Sequence, residues 1–503
     1  MKRNLFFSML LALAFTSCKK DKQITTDPVQ GSSELDKMRD SLYQYAKEEY
    51  LWYDAIPNTF NPQSYSGSSD LTALQSEIDA ISQFKKNPTT GQAYEYNAAY
   101  PGESKYSYVD GGEAATSIGG TGGDFGFALT YVATNDLRVR YVFPGSSAAS
   151  QNLVRGYKVT AVDDASVTLT TGTSTDPALV AINKSLSNNS IKLTLQRPDG
   201  TSFTTTVSKT TYTINPVIKY KVVTTTSGKK VGYFAFSRFT TLDNAKTKID
   251  EAFNSFAASN IDEIVVDLRY NGGGAVETSE YIANYMVPAS KNGSTMFTEY
   301  FNDKLQKGDY PFLAKKYSIP AGYFNQANNT YKFAKVGGLN LSRAFFLVTG
   351  STASASELLI NNLQPALPQG VQIIGRTTYG KPVGFFGIPL GNKSQYDVYL
   401  AEFESQNSAG KADFYQGMVP GSNFAGADVA DDVTKDFGDT SEGLFAKALN
   451  FIDKGNYATA GLQTLSLQST SEKNQLRNAN IVLDVKQQFS GSVHTKDLKR
   501  LQK

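Results

Sequence analysis

One histidine, His494, and one cysteine, Cys18, are all that 503 residues contain of the two side chains most often used to activate nucleophiles and bind zinc. A Ser-His-Asp triad, a Cys-His dyad and the usual zinc sites each need more than this. Acid–base chemistry therefore falls to Lys, Asp, Glu or Tyr, and no metal or cofactor is expected. His494 lies in a polar final segment and reads as a solvated tail residue. Charge of one sign is also lacking: 49 Lys and Arg stand against 47 Asp and Glu, a net charge of +2, so nothing draws the molecule to nucleic acid. The apolar run at residues 5–15 is shorter than the ~20 residues a spanning helix needs.

That run follows Lys2 and Arg3 and ends in the small residues Thr16 and Ser17, the pattern of an export signal. A cysteine directly after it resembles a bacterial lipobox, with Phe15 where an aliphatic residue is usual. The resemblance implies acylation of Cys18, a protein held to a membrane by its lipid, and residence in the bacterial cell envelope. The alternative is an ordinary secretory signal with an incidental cysteine. Residues 19–31 are too polar to fold alone and read as a tether.

Beyond the tether the texture changes twice. Leu35, Met38, Leu42 and Tyr45 recur at helical spacing after Ser33, and residues 71–84 form a second helical candidate. These predict a small helical N-terminal domain with the aromatic cluster around Trp52 as its core. From about Ser117, short β-like runs with glycine turns follow. Their order resembles a PDZ domain of the bacterial protease type, in which the loop Asp124, Phe125, Gly126 and Phe127 precedes an edge strand and holds a peptide's terminal carboxylate. A β-domain without a peptide groove is the alternative. From about Thr211, strands and helices alternate, which predicts an α/β core with its site where strands end. Residues 292–343 read as an insertion beside that site.

Three segments of the core carry chemistry. The first, Asp267-Leu268-Arg269-Tyr270-Asn271-Gly272-Gly273-Gly274, follows a buried strand, and backbone amides in such a turn can converge on an anion. In the second, Gly350-Ser351-Thr352-Ala353-Ser354-Ala355-Ser356-Glu357, a serine sits at a strand-to-helix turn near the positive end of the helix dipole. Ser354 and Glu357 also have the spacing of a capping box. The third places Lys381 beside apolar Val383, Phe385 and Phe386, where desolvation lowers a lysine's pKa and frees it to accept a proton. Each alone is equally a turn, a cap or a surface loop.

In this order the three segments resemble the C-terminal processing, or tail-specific, peptidases, with their DLRxNxGG loop, SASE segment and later FGKG loop. The resemblance spans roughly residues 117–453. It implies a peptidase core of crotonase/ClpP-like α+β layers preceded by the PDZ domain, acting on proteins or peptides with a free C-terminus. Carried over by position, Ser354 is the nucleophile and Lys381 the general base, while Gly273 and Ala355 supply the oxyanion hole. Pro382 replaces the glycine after the lysine, and Phe385 stands where a glutamine usually orients it. Glu357 is the remaining candidate for a third member. Phe385 also keeps open a different class of function, a peptide-binding lipoprotein that has lost catalysis. The expected organisation is a signal peptide (1–17), lipid-anchored linker (18–32), helical N-terminal domain (33–112), PDZ domain (113–210), Ser/Lys peptidase core (211–455) and polar C-terminal segment (456–503).

Overall fold

The computed structural model describes residues 33–458, except 172, 174 and 393, together with residues 491–493. The export signal, Cys18 and His494 lie outside the described residues. Among those described, no helix is long and apolar enough to cross a membrane.

The core is a six-stranded sheet whose strands follow in chain order: Val217–Thr224, Lys230–Phe236, Glu263–Asp267, Ala344–Val348, Val371–Gly375 and Gly426–Asp428. The first pair is antiparallel and the rest are parallel. Parallel strands covered on both faces need near-continuous apolar sequence, and Glu263–Asp267 (EIVVD) and Ala344–Val348 (AFFLV) are buried at every position. Successive residues take opposite faces. Ile264, Val266, Phe346 and Val348 pack with Ile249, Phe253 and Phe256 of helix Leu242–Ser259. Val265, Phe345 and Leu347 pack instead with Leu444, Phe445 and Ala448 of helix Gly443–Lys454.

Residues 127–208 form a separate antiparallel sheet with strands in the order Phe127–Ala133, Asp136–Val142, Lys158–Val162, Ser190–Gln196 and Ser202–Ser208. Leu179, Ile182 and Leu186 of helix Pro177–Ser187 close its apolar cluster. Phe127–Ala133 lies at an edge of this sheet among the described residues.

The N-terminal helices Ser33–Glu49 and Asp70–Ser82 form as their periodicity predicts, burying Leu35, Met38 and Leu42 on one and Leu74, Ile78 and Ile81 on the other. They do not close a core of their own. Their cluster, which includes Trp52, continues through Phe301, Leu313, Tyr317 and Phe324 of the insertion into Phe386, Leu400 and Phe403. The insertion contributes strands Thr295–Phe301 and Thr330–Lys332 to a second six-stranded sheet. In that sheet Gly273–Ala275, Gly491–Val493, Val383–Phe385 and Phe403–Asn407 precede them in order. Tyr108–Asp110 pairs antiparallel with Tyr396–Tyr399, which stitches the N-terminal segment to the core.

Candidate active site

Three core strands end side by side, and the loop that leaves each carries one of the three segments. Asp267, Val348 and Gly375 are the last residues of their strands, so the site lies at the carboxyl ends of a mostly parallel sheet, where open α/β folds place ligands.

Ser354 is the N-cap of helix Ala355–Leu363, with φ 60° and ψ −113°. A residue with a side chain at positive φ costs on the order of 1–3 kcal/mol and persists only where its surroundings hold it. Asn271 supplies much of that hold: its carbonyl accepts from the Ala353 amide at 3.1 Å and from Ser356 Oγ at 3.0 Å. Its side chain donates to the Phe236 carbonyl at 2.9 Å and accepts from the Gly273 amide at 3.0 Å. Gly273 has φ 105°, and a Cβ there would lie 2.9 Å from Ser354 Cβ and 3.0 Å from the Ala355 nitrogen. Glycine is therefore required by this contact as well as by the backbone.

Glu357 joins the Ser354 and Lys381 backbones. It is fully buried, and its Oε2 accepts from the amides of Ser354 at 2.8 Å and Lys381 at 2.9 Å. Two donors on one oxygen place those backbone nitrogens within about 6 Å of each other. Oε1 accepts from the Gly380 amide at 2.7 Å and from Thr378 Oγ1 at 2.5 Å. Burial pushes the Glu357 carboxyl up, and these four hydrogen bonds oppose the shift. Gly380, at φ 83°, threads beside Tyr415 and Gly417, where a Cβ would meet backbone at 2.5 Å.

Lys381 is 1% exposed. Its Nζ lies 3.9 Å from the Phe385 ring centre and 5.6 Å from that of Tyr106, and donates to the Tyr106 carbonyl at 3.4 Å. Tyr108 and Tyr399 pack edge-on to Phe385. Desolvation in this box holds the amine well below the usual lysine value, against the opposing pull of Glu95 and Glu357. The rest of the predicted residues sit as follows. Ala355 opens the helix after Ser354, so its amide has no intrahelical acceptor. Asp124 Oδ1 accepts from the Gly126 amide and the Tyr212 hydroxyl, both at 2.8 Å, Phe125 is fully buried, and Phe127 starts the edge strand.

The motifs missed the N-terminal contribution. Glu95 is fully buried and holds the segment 105–108 that leads into strand Tyr108–Asp110, through the Tyr106 and Ser107 amides at 2.9 and 2.7 Å, Ser107 Oγ at 2.8 Å and Tyr50 Oη at 2.7 Å. Tyr106 Oη donates to the Gly380 carbonyl at 2.6 Å, and Lys105, with its amine lowered to about 8 by burial, donates to the Tyr415 carbonyl at 2.9 Å. Only the density of tyrosines between 94 and 108 hinted at this region. Also unforeseen is the ion network under the glycine loop. Arg269 pairs with Asp267, Asp431 and Glu442 at 2.6–2.8 Å, and Arg155 of the smaller β-unit bonds Tyr270 and Asp431 at 2.8 Å.

Residues 230–415, which contain all three segments, match the family model "Peptidase family S41". Residues 230–415 are thus similar to an S41 peptidase domain. The resemblance to C-terminal processing peptidases seen in the motifs is thereby supported beyond the motifs themselves. Over 225 residues the chain is 26% identical to a carboxyl-terminal-processing protease of Picosynechococcus, a match covering 43% of this chain and 45% of that protein. The chain thus spans under half the length of this relative. A candidate S41 protease of Bacteroides fragilis, known from its crystal structure, superposes with a TM-score of 0.57 at 20% identity, over 82% of this chain and 96% of that one. That likeness shows a shared fold extending well beyond the three segments.

Proposed function

We propose that this S41 protein is a serine endopeptidase of the C-terminal processing type, with Ser354 as nucleophile and Lys381 as general base. The observation that carries the reading is Glu357, which gathers the amides of both residues on one buried oxygen. A neutral Lys381 amine accepts the Ser354 hydroxyl proton as Oγ attacks the scissile carbonyl. The Ala355 amide, at the positive end of its helix, faces the developing oxyanion. Gly273 is the second donor, and its bond to Asn271 Oδ1 has to be shared or exchanged in the transition state. The C–N bond then breaks, the lysine's proton passes to the leaving amine, and water deacylates Ser354 with Lys381 again as base. Phe385 takes the place of an orienting amide by covering the amine with an apolar face, which favours the neutral form.

On this reading the β-unit is a PDZ domain that receives substrate C-termini beside the edge strand Phe127–Ala133. Peptides ending in a free carboxylate then bind better than amidated copies by calorimetry. The protein is anchored in the bacterial envelope through Cys18, so Cys18→Ser moves it to the soluble exported fraction. The main test is cleavage of an unfolded protein. Ser354→Ala abolishes it, while Ser351→Ala and Ser356→Ala retain much of it; normal cleavage by the Ser354 variant sinks the assignment.

A further inference from the structure

Gly491–Val493 is a strand set between two walls of the site. Gly491, Ser492 and Val493 are the parallel register partners of Gly273, Gly274 and Ala275. On the other side Ser492 and Val493 partner Gly384 and Phe385. The two walls neighbour this strand and not each other in the sheet. Adjacent strands lie ~4.8 Å apart, so the slot between Gly273–Ala275 and Val383–Phe385 is one strand wide and offers backbone donors and acceptors on both sides. One wall begins at Gly273, which abuts Ser354, and the other carries the Phe385 ring that covers the Lys381 amine. An extended peptide in this slot runs beside Gly273, which abuts Ser354.

We infer that residues 491–493 occupy the substrate position of this site and that the C-terminal segment is a tethered competitor of extended peptide substrates. The inference rests on the peptidase reading above. Ser354 and Lys381 are each 1% exposed, so the site is closed in this state. The competitor belongs to the same chain as the slot, so its pairing is intramolecular and is not diluted as a free peptide is. A free peptide binds only in the fraction of molecules whose slot is open, and its apparent affinity falls by that fraction. Recognition by main-chain pairing suits Gly491 and Ser492, since a ladder between two strands asks only for a backbone.

The test uses the full chain in a Ser354→Ala background, with and without Ser492→Pro and Val493→Pro together. Proline has no amide to give to a ladder. A fluorescein-labelled extended peptide ending in a free carboxylate is titrated, and amide hydrogen exchange is followed by mass spectrometry. The prolines tighten peptide binding about tenfold and speed exchange at residues 273–275 and 383–385, while the buried strand Ala344–Val348 keeps its protection as the control for folding. Unchanged exchange overturns the inference, and so does faster exchange without tighter binding. Cleavage by the unmodified chain judges the peptidase reading separately: a chain that never cleaves, yet whose walls are unzipped by the prolines, loses the proposed activity and keeps the occupied slot.

Discussion

The peptidase core and the N-terminal segment solve the same local problem with the same device, and only one of them announces it in sequence. In the core, Glu357 is a fully buried carboxylate accepting four hydrogen bonds, from Ser354, Thr378, Gly380 and Lys381. In the N-terminal segment, Glu95 is a fully buried carboxylate accepting four, from Tyr50, Tyr106 and two groups of Ser107. A buried carboxylate is tolerable only when its oxygens are satisfied, and each of these is satisfied by ordering a loop. Glu357 fixes where the serine and lysine backbones meet. Glu95 fixes the segment whose Tyr106 carbonyl and ring face the lysine amine. One sets geometry, and the other sets solvent exclusion, and the base proposed for Lys381 needs both.

The largest expected effect comes from Glu357→Gln. The amide keeps the volume but turns one acceptor into a donor, so it faces either the Ser354 and Lys381 amides or the Gly380 amide and the Thr378 hydroxyl, and at least one N–H meets N–H. Losing a buried partner in this way costs about 1–3 kcal/mol of stability. Misplacing the reacting groups costs more in rate, and kcat/KM falls on the order of a hundredfold or beyond. Steady-state kinetics beside a thermal melt separates the two, and a folded variant with near-normal kcat contradicts the role given to Glu357. A smaller loss follows Glu95→Gln, which disturbs segment 105–108 while leaving the turn at Ser354 untouched. Its kcat falls by about tenfold, with KM little changed. A loss equal to that of Glu357→Gln removes the distinction between the two carboxylates. The smallest effect is that of Tyr106→Phe, which deletes only the 2.6 Å bond to the Gly380 carbonyl. About 1 kcal/mol of stability is at stake there, read as a lowered melting temperature, and a variant as stable as the parent argues that this bond is incidental.

The same contrast explains what was legible in the sequence. Ser354, Lys381 and the glycine loop stood out because each follows a buried strand and each repeats a family motif. The central sheet was legible for a related reason: AFFLV is apolar throughout and EIVVD is apolar at its three central positions, as a sheet covered on both faces requires. Helical periodicity located Ser33–Glu49 and Asp70–Ser82, but periodicity reports only that one face is buried and not against what. Those helices pack on Phe301, Leu313 and Phe403, more than 200 residues away in the chain. Glu95 and Tyr106 escaped for that reason, since long-range partners leave no local pattern. Phe385 was read as a departure that put the third catalytic member in doubt. Its ring instead packs against the Lys381 amine at 3.9 Å. The three-residue strand Gly491–Val493 lies in a segment whose polar composition gave no sign of pairing.

A buried lysine also sets a stability that depends on pH. Unfolded, Lys381 has a pKa of ~10.4, and burial holds it well below that in the folded protein. Folding therefore releases a proton between the folded value and ~10.4, and the cost is fully present below the folded value and gone above ~10.4. Lys381→Met removes that cost and the base together. The most direct measurement is the pH dependence of single-turnover cleavage for wild type and Lys381→Met, run with their melting temperatures. Wild-type cleavage rises with pH through a lowered lysine pKa until alkaline unfolding. The variant is inactive at every pH and melts higher than wild type near neutrality, with the advantage shrinking as pH approaches ~10. A variant that keeps the wild-type rate and profile shows that Lys381 is a buried structural residue and contradicts the Ser354–Lys381 pair.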